Sequence, residues 1–207
     1  MSKKINIFWF RRDLRLDDNI GFYNALKAEY PVLPIFIFDS EILEKLPKDD
    51  ARVSFIYETL QDMRQTLQDH HKSGIAMFYG KPISIYKQLI KNYEIDTVYT
   101  NHDYEPYAAE RDKEIESLLE THNIEYKTYK DQVIFEKNEV VKKDGKPYVV
   151  YTPYMHTWKE KFKTIDFKIS HPEDYFNNFI KDNALPNLSL SYIGFEKSAQ
   201  HIVPYKV

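Results

Sequence analysis

The sequence predicts an α/β fold built on a doubly wound, five-stranded parallel sheet, and three observations carry that expectation. Short apolar runs alternate with longer segments of helical period four times over, and one more short run follows. The apolar runs are nearly continuous rather than alternating, as strands buried on both faces require. The segments between them are long enough to be the crossover helices that parallel neighbours need.

The elements follow in order. Ile5 to Phe10 is apolar apart from Asn6 and reads as the first strand. Asp18 or Asn19 can cap a helix over Ile20 to Ala28. Val32 to Phe38 is the second strand. Val53, Ile56, Leu60, Met63 and Leu67 recur at steps of three and four, so Asp50 to His71 is an amphipathic helix. Ile75 to Tyr79 is the third strand, and Pro82 stands where a first helical turn tolerates proline, opening Ile83 to Tyr93. Thr97 to Thr100 is the fourth strand. Ala108 to Thr121 carries Ile115, Leu118 and Leu119 on one stripe, and Glu125 to Tyr129 closes the sheet. Residues 1–130 thus form a Rossmann-like core, with Trp9 inside it. Residues 131–162 complete the domain: Asp144-Gly145-Lys146-Pro147 marks a turn between two short β-like runs within Val133 to Val150. Tyr154 to Phe162 is a last helix, expected to pack its aromatic mass, Trp158 and Tyr151 to Tyr154, on the sheet. Residues 163–207, polar and punctuated by Pro172, Pro186 and Pro204, read as an irregular linker that wraps or leaves the domain rather than a second core.

Composition narrows the function. A chain of 207 residues, 43% hydrophobic and 29% charged, is globular in character. Its 17 Tyr and 13 Phe can fill a dense core. Cysteine is absent, which removes disulfides, thiolate metal sites and cysteine nucleophiles and fits a cytoplasmic setting. The start has no apolar run long enough for a signal peptide or membrane span. A net charge of -3 gives no global attraction for phosphate backbones, so little DNA binding is expected of this chain alone. Neither GxGxxG nor GxxxxGK[ST] occurs, and HExxH and GxSxG are absent too. Residue chemistry alone therefore indicates a small-molecule-binding α/β domain of open ligand, with its site beyond the carboxyl ends of the strands.

Several strings go further. Trp9 to Asn19 reads WFRRDLRLDDN, Phe38 to Leu43 FDSEIL, Ala51 to Ile56 ARVSFI, and Gly80-Lys81-Pro82 follows the third strand. Asn101 to Asp112 reads NHDYEPYAAERD, Tyr148 to Trp158 YVVYTPYMHTW, and Leu185 to Phe195 LPNLSLSYIGF. In this order and spacing they resemble the amino-terminal α/β domain of DNA photolyases and cryptochromes, and the resemblance covers essentially the whole chain. It implies an antenna domain of a flavoprotein whose helical domain, expected to be absent here, binds FAD and the flipped-out lesion in damaged DNA. No catalytic residue is then expected in this chain. The Arg-Arg-Asp-Leu-Arg wording favours a deoxyribodipyrimidine photo-lyase of the cyclobutane class over a blue-light signalling cryptochrome. A stand-alone nucleotide-binding module is the third reading.

The resemblance also nominates residues. Arg12 and Asp13 lie at positions similar to antenna-pocket residues, whereas Arg11 and Arg15 read equally as a salt-bridged loop. Phe38 and Asp39 end the second strand, where a planar ring could stack. Arg52 begins a helix, where the dipole disfavours a cation, so it needs an anionic partner, ligand or carboxylate. Asp103 sits in a string resembling deazaflavin- or flavin-binding members. Glu110 resembles the glutamate that holds the pterin in folate-type members, and otherwise could pair with Lys113. Ala108-Ala109 matches neither pattern, leaving the antenna as methenyltetrahydrofolate or a flavin or deazaflavin. The expectation is one cleft at the ends of strands one, two and four, lined by Asp13, Phe38, Asp39, Arg52 and Asp103, with Glu110 at its rim. No metal site is expected.

Overall fold

The computed structural model describes residues 4–166 and 169–200, so residues 167–168 and 201–207 of the expected linker, Pro204 among them, lie outside the described residues. The five strands are β1 (Ile5–Phe10), β2 (Val32–Asp39), β3 (Ala76–Gly80), β4 (Ile95–Asn101) and β5 (Glu125–Tyr129). All neighbours pair parallel in the order β3-β2-β1-β4-β5. Strand order reverses between β1 and β4, which is where such sheets open a crevice. The helices are α1 (Ile20–Lys27), a single turn α2 (Ser40–Leu43), α3 (Ala51–His71), α4 (Pro82–Asn92), α5 (Pro106–Glu120) and α6 (Tyr151–Phe162).

Alternation along the buried strands builds two cores. Phe8, Phe10, Phe36 and Phe38 point to the face covered by α1 and α3. Ile7, Trp9, Leu33, Ile35 and Ile37 point to the face covered by α4 and α5. Each buried aliphatic or aromatic side chain contributes roughly 1.5–3 kcal/mol. Asn19 is the cap of α1, its side chain accepting from the amide of Phe22 at 3.1 Å. Asp18, the other candidate, instead takes a left-handed φ of 41° in the turn before it. Pro82 and Pro106 open α4 and α5, where their fixed φ suits the first turn.

On the α4 face, Tyr86 meets Trp9 edge-on at 5.5 Å and is fully buried. Burial pushes its phenol well above the usual tyrosine range. The folded chain holds this proton more tightly than the unfolded one, so the stability is complete below about pH 10 and falls as pH rises beyond it. Tyr86→Phe is expected to flatten the alkaline limb of a pH-dependent unfolding curve; an unchanged limb would show that this phenol does not titrate with unfolding.

Two expectations about the second half are corrected. The runs flanking Asp144 to Pro147 are not strands. Only the turn forms, with Gly145 at φ 78° and its amide donating to the Lys142 carbonyl at 2.9 Å. The last helix starts at Tyr151, and none of its residues is buried. Trp158 packs on Phe135 and Phe162 rather than on the sheet, because α6 follows a segment that has already left the sheet's faces. Beyond it, residues 172–195 run back over the core. Phe179 bridges Val32, Pro186 accepts the Met77 amide at the outer edge of β3, and Phe179, Leu185, Ile193 and Phe195 are buried. Arg64 of α3 fastens this return, donating to the carbonyls of Ile75 at 2.6 Å and Leu185 at 2.7 Å. An open sheet edge is thereby covered.

Candidate functional site

The β1–α1 loop turns inward as soon as β1 ends. Asp13 is buried and its carboxylate accepts from the Arg11 amide at 2.8 Å, from Asn19, and from Asn101 at the end of β4. The Asn101 amide also donates to Asn19 at 2.9 Å, while its oxygen accepts from the Gly21 amide at 2.9 Å. This clamp ties β1, α1 and β4 together. It is also close-packed, since a Cβ on Gly21 would stand 2.5 Å from the Asn101 oxygen. Arg15 joins the same structure through Asp131 at 2.9 Å.

Beside the clamp, Arg11 is buried to 6% exposure and donates to both oxygens of Asp112 at 2.7 Å and to the Asn101 carbonyl. Asp112 also accepts from Arg111 at 3.0 and 3.1 Å. The two guanidiniums lie over the Trp9 ring, Arg11 at 5.0 Å and Arg111 at 4.8 Å. Asp103, its side chain 8% exposed, stands 4.0 Å from Arg111 and 3.7 Å from Arg12, and Arg12 reaches outward to Glu105.

In front of this cluster lies a cleft of about 260 Å³, lined by Glu41, Lys81, Pro82, Ile83, Tyr107, Glu110, Arg111 and Glu114. The Tyr107 hydroxyl donates to Asp39 at 2.6 Å, and the other Asp39 oxygen accepts from the Glu41 amide at 3.1 Å. Burial and this bond to Asp39 push the Tyr107 phenol well above its usual range. Lys81 pairs with Glu41 at 2.6 Å. That pairing lowers the Glu41 carboxyl and raises the Lys81 ammonium, so both are charged at neutral pH. Tyr107, Glu110, Arg111 and Glu114 share one face because they stand at i, i+3, i+4 and i+7 on α5.

Four of the nominated residues therefore come together here: Asp39 under Tyr107, Asp103 behind Arg111, Glu110 at the rim, and Arg12 at the outer side of Asp103. Three do not. Asp13 faces the interior clamp, and Phe38 is 2% exposed, stacked edge-on against Phe36 in the α1/α3 core. Arg52 is on another surface beside Ser198 to Gln200, because α2 and the turn after it carry the start of α3 away. Its anionic partner is Asp50, the cap of its own helix, at 2.7 Å. The cleft accordingly opens at the ends of β2 and β3 and the start of α5, with the β1 loop behind it, rather than at the ends of strands one, two and four. Among the described residues no cluster is placed to hold a metal. The sequence reading missed Tyr107, Arg111, Asp112, Lys81 and Asn101. The available signal was the i, i+4 spacing of Tyr107 and Arg111 after a strand end.

Comparison with known proteins bears on the family and the fold. The family model for DNA photolyase matches residues 6–173. A deoxyribodipyrimidine photo-lyase of Synechococcus is 32% identical over 157 residues, covering 76% of this chain and 32% of that protein. Cryptochrome-1 of Drosophila melanogaster is 29% identical, covering 75% of this chain and 30% of its own length. The archaeal photolyase of Sulfolobus tokodaii superposes with a TM-score of 0.65 at 27% identity, covering 80% of this chain and 36% of that one. Its crystal structure holds two FAD molecules, described as implying a novel light-harvesting cofactor. This chain thus spans about a third of the length of these relatives. It belongs to the DNA photolyase family and has the fold of that family's amino-terminal α/β domain.

Proposed function

We propose that the cleft beside Tyr107 and Arg111 holds the antenna chromophore of a light-driven enzyme that repairs cyclobutane pyrimidine dimers. In the parent protein, a deoxyribodipyrimidine photo-lyase, the excitation would pass to FAD bound outside this chain. The observation that carries the reading is the cleft itself. It sits at the carboxyl-terminal edge of the parallel sheet, with an apolar wall of Pro82 and Ile83, a ring at Tyr107 and charges at Glu41, Lys81, Glu110, Arg111 and Glu114. Such a mixture of ring-facing and polar groups suits a planar, hydrogen-bonding chromophore. The group supplies light absorption; the residues bind and orient it. At about 260 Å³ the cleft is smaller than the roughly 300–1,000 Å³ of a typical small-molecule site, so it fits one ring system and weak affinity in this chain alone.

The test is titration of the purified chain with FMN, a deazaflavin and methenyltetrahydrofolate. Arg111→Gln is expected to weaken whichever ligand binds by about tenfold, the worth of one lost charged hydrogen bond. Loss confined to Asp103→Ala favours a flavin-type antenna, and loss confined to Glu110→Ala favours the folate. No binding by any of the three would sink the reading. The chain alone is expected to show little affinity for damaged DNA, given its net charge of -3. Illumination with FAD and a dimer-containing oligonucleotide should give no repair, and repair would contradict this. A cytoplasmic setting accompanies the proposal, supported by the cysteine-free composition.

A further inference from the structure

We propose that the outer edge of β5 takes up an extended, basic peptide segment of a partner as an additional strand of the sheet. The site lies at the opposite end of α5 from the cleft and is independent of the chromophore reading.

The two edges of the sheet are finished differently. At β3 the returning chain covers the edge, with Pro186 accepting the Met77 amide at 2.9 Å. At β5 the pairing runs inward only. The Tyr129 carbonyl accepts from the His102 amide at 2.7 Å, so Tyr129, Lys127 and Glu125 turn their backbone groups towards β4. Alternation along the strand then turns the N–H and C=O groups of Tyr126 and Thr128 outward. Among the described residues no hydrogen bond reaches them from that side. Such a row is a template on which an extended segment can pair.

The surroundings of the edge select its occupant. A groove of about 510 Å³ runs beside it, lined by Glu116 and Glu120 of α5 and by Ile124, Glu125, Tyr126 and Lys127 among others. Its charged groups are three carboxylates and one ammonium, and that ammonium, Lys127, is already engaged by Glu125 at 2.5 Å. Glu116 and Glu120 stand one turn apart on α5, a like-charge spacing that weakens a helix by itself. Among the described residues neither is in an ion pair. Tyr126 packs into the α4/α5 core, so a strand added beside it runs one row of its side chains past Glu116 and Glu120. Lys or Arg in that row would pair with them. A second copy joined antiparallel, edge to edge, would instead set its own Glu116 and Glu120 against these, where like charges repel.

The probes are three short peptides added to the isotopically labelled chain. One alternates Lys and Val, one alternates Glu and Val, and the third is the Lys–Val peptide with its backbone amides N-methylated. Amide chemical shifts and hydrogen exchange are followed at Tyr126 and Thr128. The Lys–Val peptide is expected to give saturable shifts there, to slow exchange at both, and to bind more weakly as salt is raised. N-methylation keeps the charge and removes the donors, so it should cost about tenfold or more in affinity. Glu116→Gln combined with Glu120→Gln should cost about three- to tenfold, the worth of two exposed ion pairs. Silence at Tyr126 and Thr128, equal binding of the Glu–Val peptide, or full affinity after N-methylation overturns the proposal. Concentration-dependent dimerisation of the chain alone, with those two amides protected, also overturns it by giving the edge to a second copy.

Discussion

Asn101→Ala is expected to cost about 3–4 kcal/mol, the desolvation cost of stranding several buried polar groups. The substitution takes the acceptor from the Gly21 amide and a donor from each of Asp13 and Asn19, all in the interior. For a domain of this size that corresponds to a fall in Tm on the order of 6–16 °C. Thermal or denaturant unfolding reads it. Because Asn101 holds the β1 and α1 junction and does not line the cleft, FMN affinity should fall less than in Arg111→Gln at a temperature where both variants are folded. A loss under about 1 kcal/mol would mean that water replaces the clamp without strain.

Arg11→Ala is the second large effect, about 3–5 kcal/mol, the cost of breaking a buried ion pair by removing one partner. It leaves Asp112 with Arg111 as its one guanidinium partner, strands the Asn101 carbonyl and removes one guanidinium from the Trp9 ring. Arg11→Lys should recover only part of this, since one ammonium cannot serve both acceptors with the same planar geometry. A double variant, Arg11→Met with Asp112→Leu, should be less damaged than the sum of its parts, because the Arg11–Asp112 pair is removed together and Arg111 still has Asp103 at 4.0 Å. Strict additivity of the two single variants would show that the pair is not coupled.

The sheet was legible because buried parallel strands must be apolar throughout, so Ile5 to Phe10 and Val32 to Phe38 announce themselves. The helices were legible because their core stripe repeats with the helical period. For residues 163–207 the sequence left wrapping and leaving the domain open, since Phe179, Leu185, Ile193 and Phe195 touch the core at separate points and leave no period to detect. The site was half legible for a related reason. A charged loop residue such as Asp13 or Arg52 looks the same in sequence whether its charge meets a ligand, an interior amide or its own helix cap. Only the fold shows that Asp13 faces Asn101 and Arg52 faces Asp50. Tyr107 and Arg111 were on the page as an i, i+4 pair, yet that spacing recurs on every helix and singles nothing out.

The central claim, a planar chromophore held at the start of α5, is tested most directly by mapping amide chemical shifts of the isotopically labelled chain as FMN is added. Saturable shifts should centre on Lys81, Ile83, Tyr107 and Arg111. Shifts centred instead on the groove between Ser54 to Glu58 and Leu190 to Lys197, or on the surface joining Asp50 to Gln200, with Tyr107 silent, would contradict it.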